Sequence, residues 1–208
     1  MKKMFMLFIL IPIGLWGQFR EGTIIFNDGS TKKGYVNSPD QPNNSNVRFK
    51  TEENGAIEKF SIDNVKGFEI IGDQNEIVHY TTICLAYTNP FHLDKIVVNK
   101  RKNWARIVKE GKVTLYALDK LNYNIMLSRT SYYCIKKQDQ DYALYLGDYM
   151  YGSEGNWNFN LNNFKLFKET IQRYFEKECP QLADLMDKED FKKNGMGRIV
   201  ELYDQNCE

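Results

Sequence analysis

Histidine is nearly missing: the 208 residues hold two, His79 and His92. That scarcity closes off most metal and nucleophile schemes, because no Cys-x-x-Cys or His-x-x-x-His spacing puts two ligands on one element. His79, Cys84 and His92 make a zinc set only on paper; one strand histidine and one loop histidine is the plainer reading. A Cys–His nucleophile pair built on Cys84 or Cys134 needs a convergence that spacing alone does not supply. An excess of one charge is lacking as well. Lys and Arg number 28 against 27 Asp and Glu, a balance of +1, so no chain-wide field recruits nucleic acid or an anionic membrane. A polyanion site therefore needs a local patch. Motif chemistry is thin elsewhere. Gly152-Ser153-Glu154-Gly155 lacks the Gly-x-Ser-x-Gly spacing of a strained nucleophile turn. Asp139-Gln140-Asp141 has no EF-hand Gly and Glu downstream and reads as a strand-connecting turn. The paired carboxylates of a glycosidase are a property of a fold, so 27 acids with no motif single out none. No cofactor and no metal are implied.

Long hydrophobic runs are limited to one. Met1-Lys2-Lys3 precedes thirteen apolar residues, Met4 to Trp16, and then Gly17-Gln18. This is the charged, apolar and small-residue order of a signal peptide, with cleavage expected after Gly17 and a leader of residues 1–17. Thirteen residues rise only about 20 Å as a helix, short of the roughly 30 Å hydrocarbon core. No transmembrane segment is expected in the mature chain, and no Cys follows the run to carry a lipid. Losing Lys2 and Lys3 takes the balance from +1 to −1.

What is present is a globule's share of apolar residues, 42%, against 26% charge. From residue 18 to about 158 the chain reads as a β-rich domain. Strands are expected at 23–26, 34–36, 47–49, 56–60, 67–71, 77–86, 95–98, 104–108, 113–118, 131–136 and 142–146. Asp28-Gly29, Glu53-Asn54-Gly55 and Lys109-Glu110-Gly111-Lys112 supply hairpin turn chemistry between them. Roughly ten short strands at this spacing predict an antiparallel β-sandwich or a partly open β-barrel. They are shorter than the strands of an outer-membrane barrel. Beyond Asn160 the period changes. Phe164, Phe167, Ile171, Tyr174 and Phe175 recur at three- and four-residue steps, one stripe of an amphipathic helix with Asn162 or Asn163 as its cap. Pro180 ends that helix and opens the next; Gly195 and Gly197 break the pattern before Ile199, Val200 and Tyr203 resume it. Two or three helices over 159–208 thus pack on the β domain, an α+β chain.

Four cysteines remain after the leader, and an exported chain permits them to pair. Cys179 and Cys207 bracket the helices and are expected to bridge, clipping that segment onto itself. Cys84 and Cys134 lie inside strands and read as small buried hydrophobes, the alternative being a second bridge.

Two features stand above this background. Between Lys95 and Lys112 seven basic residues (Lys95, Lys100, Arg101, Lys102, Arg106, Lys109, Lys112) face one acid, Glu110. Arg101, Lys102, Trp104 and Arg106 are the candidate ligand-binding set, with Trp104 stacking on a sugar face and the cations holding an anionic glycan or a lipid phosphate. Solvated strand edges guarded by Lys produce the same pattern. Separately, Tyr145, Tyr149, Tyr151, Trp157 and Phe159 crowd the connection before the helices, where they form the seam on which the helices dock or the lining of a cleft.

The hairpin Gly22 to Val36, the segment Phe60 to Phe68, the run Gly111 to Tyr116 and the ending Cys179-Pro180-Gln181-Leu182, Ile199 to Tyr203 and Cys207 resemble a group of secreted Bacteroidota proteins without known activity. Asp28-Gly29-Ser30 departs from the Gly-Asp-Thr expected there and keeps the turn. The resemblance implies an exported protein of the Gram-negative envelope, periplasmic or secreted, and brings no site with it. The functional expectation is non-catalytic binding or an envelope accessory role, the partner an anionic glycan or envelope component. The alternative is a hydrolase acting on glycans or peptides.

Overall fold

A computed structural model describes residues 19–88, 95–122, 128–150 and 161–208. The expected leader, His92, Gly152 to Gly155, Tyr151, Trp157, Phe159 and the Tyr149 side chain lie outside the described residues. The strands are β1 (Phe19–Phe26), β2 (Thr31–Asn37), β3 (Asn46–Lys50), β4 (Glu58–Ser61), β5 (Val65–Ile71), β6 (Ile77–Thr88), β7 (Ile96–Lys109), β8 (Val113–Asn122), β9 (Ser128–Lys137) and β10 (Tyr142–Met150). They form one sheet in the order β10-β9-β8-β7-β6-β5-β1-β2-β3-β4.

A strand has two hydrogen-bonding edges, and β6 divides one of them. β7 occupies its first edge from Tyr80 to Thr88. On the second, β5 pairs with Ile77 to Thr81, and β10 pairs in parallel through Tyr142↔Cys84, Ala143↔Leu85 and Leu144↔Ala86. That last pairing closes β6 to β10 into a five-stranded barrel, with β1 to β5 as outer strands. Crowding just before the fork explains Gly67, where a Cβ would lie 2.3 Å from the Tyr80 carbonyl oxygen.

Side chains alternate across this wall. Ile83, Leu85, Ala105, Tyr116, Leu118, Cys134 and Ala143 fill the barrel. Their neighbours Val113, Leu115, Ala117, Tyr133, Ile135, Leu144 and Leu146 point outward under the helices. The outer strands wrap a third core of Ile24, Val36, Val47, Phe49, Val65, Phe68 and Ile70, which Trp104 enters from β7. The segments expected at 95–98 and 104–108 are one strand, β7, because the polar stretch between them continues the pairing through a register shift opposite Cys84 and Leu85.

The helices are α1 (Leu161–Tyr174), α2 (Lys188–Asn194) and α3 (Arg198–Asn206). The aromatic stripe holds: Phe164, Phe167, Ile171, Tyr174 and Phe175 are all buried. Helix α1 begins at Leu161, so the expected caps Asn162 and Asn163 lie in its first turn. Turns rather than a helix follow Pro180, and α2 starts later, where the Asp187 side chain accepts from the Asp190 N–H at 2.9 Å. Tyr145 belongs to the barrel interior, its ring 5.6 Å from Tyr87 and 6.4 Å from Tyr132, while its neighbours Leu144 and Leu146 face the helices.

The β7–β8 turn is the socket for α3. Asp204 accepts from the Lys112 N–H at 2.8 Å, the Lys112 ammonium donates to the Cys207 carbonyl, and Lys109 pairs with Glu201. A Cβ on Gly111 would fall 2.2 Å from the Asp204 carboxylate. Lys137 ties the other end, 2.8 Å from Glu178 and 2.9 Å from the Tyr174 carbonyl. Cys179 and Cys207 form the expected disulfide, Cα atoms 5.4 Å apart, whereas Cys84 and Cys134 are free. Cys84 sits between Ile83 and Leu85, which face inward, so it points out of the barrel while Cys134 points in.

Two outcomes test this arrangement. Unfolded, unreduced protein should take up two alkyl groups and reduced protein four, by intact mass; a different count contradicts the pairing. Replacing Cys179 and Cys207 by Ala should cost about 3–4 kcal/mol in denaturant unfolding, the chain-entropy value for a loop of that length. Acid should act on the helix attachments. Hydrogen bonds from Lys109 and Arg198 hold Glu201 below the usual carboxylate range, Arg198 and Asn194 do so for Asp190, and Lys137 for Glu178. Since each folded value is lowered, the stabilisation is complete above the ordinary carboxylate range, about pH 5, and is lost as pH falls through that range and then through the lowered folded values. Melting followed by circular dichroism should therefore be flat from neutrality to about pH 5 and drop below it; a flat profile to pH 3 refutes the assignment.

Candidate ligand-binding site

Fourteen residues of extended chain span about 46 Å, so the basic run on β7 cannot form one patch. Its charges disperse to different partners. The Arg101 guanidinium donates to the Asn43 carbonyl at 2.9 Å, and Lys102 stands 3.8 Å from Asp63. Arg106 meets Asp119 at 2.9 Å, and Ser131 donates to the same carboxylate at 2.6 Å. Burial works against the Arg106 charge, and Asp119 more than restores it, so the guanidinium stays protonated beyond its ordinary range. Trp104 is 2% exposed, its ring edge-on to Phe68 at 5.3 Å. A buried indole cannot stack on a sugar, and a neutralised Arg106 cannot recruit an anion. The expected set of Arg101, Lys102, Trp104 and Arg106 therefore presents no common binding face.

Two of those residues do something else. The Trp104 backbone N–H donates to the Pro42 carbonyl at 2.8 Å and its indole N–H to the Asn44 carbonyl at 3.0 Å. With Arg101 on Asn43, three consecutive loop carbonyls are fixed to β7. Pro39 and Pro42 restrict φ in the same loop, and the Ser45 carbonyl accepts from Ile62 at 2.8 Å. The connection between β2 and β3 is thus pinned at its tip and its base.

Beneath it lies a polar pocket of about 220 Å³. Pro39, Asp40, Asn44 and Ser45 come from the loop; Asn37, Asn46, Arg48 and Lys59 come from the strands. Three of the strand residues form a row in register across the sheet, Asn37↔Arg48 and Arg48↔Lys59. Arg48 donates to the Asn37 side-chain oxygen at 3.2 Å, which leaves the Asn37 amide N–H₂ as a donor, and Asn37 is only 5% exposed. Like charges directly opposite one another on a sheet are unfavourable. Here, among the described residues, no carboxylate stands within ion-pairing distance of Arg48 or Lys59. A guanidinium fork, an ammonium and a ring of amides and a hydroxyl suit a ligand that carries both an anionic group and hydroxyls.

The remaining candidates do not converge. His79 pairs with Glu69 across the strands at 3.0 Å. Five residue steps along β6 separate it from Cys84, about 16 Å. Among the described residues no group of His, Cys, Asp and Glu is placed to hold a metal. Burial pushes the Cys134 thiol well above its ordinary value, which suits a packing residue rather than a nucleophile. Asp139-Gln140-Asp141 is the β9–β10 turn, as expected. No protein-family model, no curated protein and no solved structure matches this chain.

The division of labour on β7 has measurable consequences. Trp104→Ala should cost about 3–5 kcal/mol in denaturant unfolding, the usual loss for a large buried ring. Arg101→Ala should cost under about 1 kcal/mol while raising amide exchange across residues 41–45. Equal stability losses, or unchanged exchange, would contradict the pinning.

Proposed function

We propose that the chain is an exported, non-catalytic binding protein whose site is the pocket beneath the β2–β3 loop. Its ligand is an acidic sugar unit of a glycan, recognised by its carboxylate or sulfate and by its hydroxyls. The carrying observation is the cross-strand pair of Arg48 and Lys59, two cations placed opposite each other in an amide-lined pocket with, among the described residues, no carboxylate at ion-pairing distance. A bound anion turns that repulsion into a two-sided contact. Asp40 is the one carboxylate of the lining, so the paired acids that glycan hydrolysis uses are not assembled in this pocket. The leader expected from the sequence over residues 1–17 supports export, and the Cys179–Cys207 bridge suits an oxidising compartment.

Calorimetric titration with uronic-acid and sulfated oligosaccharides, and with neutral sugars as controls, tests the reading. Arg48→Ala should weaken anionic-sugar binding at least tenfold, consistent with about 1.5–3 kcal/mol for a hydrogen bond to a charged group. Lys59→Glu should abolish binding and at the same time stabilise the empty protein by about 0.2–1 kcal/mol, by relieving the like-charge pair. Binding that survives both substitutions, or a Lys59→Glu protein that melts earlier than the parent, overturns the assignment.

A further inference from the structure

The polar stretch of β7 holds an irregularity that the cores do not require. β6 pairs Cys84 with Lys102 and then Leu85 with Asn99, so Lys100 and Arg101 stand without a partner on that strand and form a bulge. Side chains on both sides fix it. The Arg101 N–H donates to the Asn99 side-chain oxygen at 2.9 Å, and the Asn103 amide donates to the Arg101 carbonyl at 3.0 Å. The Cys84 thiol donates to the Lys100 carbonyl at 3.6 Å. Asn103 is 7% exposed, so a buried amide is given over to holding this one segment.

By plain alternation Arg101 would share the face of Ala105, which fills the barrel. The bulge aims its guanidinium at the β2–β3 loop instead, where it donates to the Asn43 carbonyl at 2.9 Å. A neutral donor would serve that carbonyl equally well. Arg101 brings a charge as well: it is exposed, and among the described residues no carboxylate stands at ion-pairing distance from it. Its fork keeps donors to spare. Lys102 beside it already faces Asp63 at 3.8 Å.

Asn43 adjoins Asn44, which lines the pocket. The loop is thus a ridge with cations on both flanks, Arg48 and Lys59 within the pocket and Arg101 outside it. The ridge is one backbone wide, about 5 Å, and the five steps from Asn43 to Arg48 span at most about 17 Å of chain. An acid seated between Arg48 and Lys59 therefore leaves Arg101 to another acid farther along the same molecule. Inside the pocket the Asn37 amide N–H₂ is a buried donor with no protein acceptor among the described residues, its oxygen being held by Arg48.

We infer that the ligand is a polyanionic glycan strand that crosses the β2–β3 loop, with one acidic unit in the pocket and a further one on Arg101. The assignment rests on the pocket as the binding site and adds a second subsite to it. Arg101 and Trp104 pin the loop from β7, so the two flanks are held at a fixed separation. Once the first acid is bound, the second contact is intramolecular and gains from the high effective concentration of the tethered unit. Carboxylated and sulfated strands share this chemistry.

Calorimetric titration of the protein with galacturonic acid against tetragalacturonic acid, and with galactose 6-sulfate against a tetrasaccharide of 6-sulfated galactose, tests the inference and separates the two kinds of strand. For the acid that binds, the tetramer should bind more than about tenfold more tightly than the single unit, beyond the roughly fourfold statistical advantage of four units. Arg101→Ala should return the ratio of the two affinities to that statistical factor, whereas Arg101→Lys, which keeps the charge, should preserve most of it. A loss shared equally by single unit and tetramer shows that Arg101 only holds the loop and overturns the second subsite. A parent protein that binds both lengths alike overturns it too. In both cases the pocket stands, provided that Arg48→Ala still weakens the single unit. Tetramer binding that survives Arg48→Ala, or no binding of any of the four sugars, overturns pocket and subsite together.

Discussion

One edge of β6 serves two strands, and the architecture follows from that division. Where β5 leaves and β10 arrives, the sheet forks: one branch curls into a closed barrel, the other continues as the outer strands. A single wall thereby gains three apolar compartments, one inside the barrel, one beneath the helices and one inside the outer strands. The parallel contact involves only three residues of each strand. Its stability comes from what it encloses, since opening it would expose the barrel interior to water.

The elements were more legible than their assembly. Turn residues marked the hairpins, and a three- and four-residue period marked α1, because both signals are local. The fork was not legible, since Cys84 and Tyr142 are far apart in the chain and parallel pairing leaves no turn between them. β7 was read as two pieces because Asn99 to Asn103 is polar, although a strand at the edge of a fork can carry polar residues on both sides. The disulfide was readable because Cys179 and Cys207 flank a helical segment that doubles back.

The candidate site shows the same limit. A run of basic residues was counted along the chain, but an extended strand separates its charges, and acids from β8 and α3 then neutralise two of them. Trp104 looked like a stacking platform and is a core residue with a hydrogen-bonded nitrogen. A weaker signal for the proposed pocket was there to be read. Counting outward from Glu53-Asn54 in the second hairpin puts Arg48 opposite Lys59, a like-charge pair that a folded sheet would avoid unless it had a use. The loop from Ser38 to Ser45 drew attention only as a loop, because the carbonyls that pin it carry no side-chain signature.

Cys84 and Cys134 lie on opposite sides of a closed wall. They can meet only in a chain whose barrel has not shut, in which the inward thiol is still free to swing out. A bond between them is therefore a record of failed closure. In an oxidising compartment such a bond would lock the chain open, so the order of events during maturation matters: the wall must seal Cys134 away before oxidation reaches it, while Cys179 and Cys207, emerging last, are left for the oxidant to join.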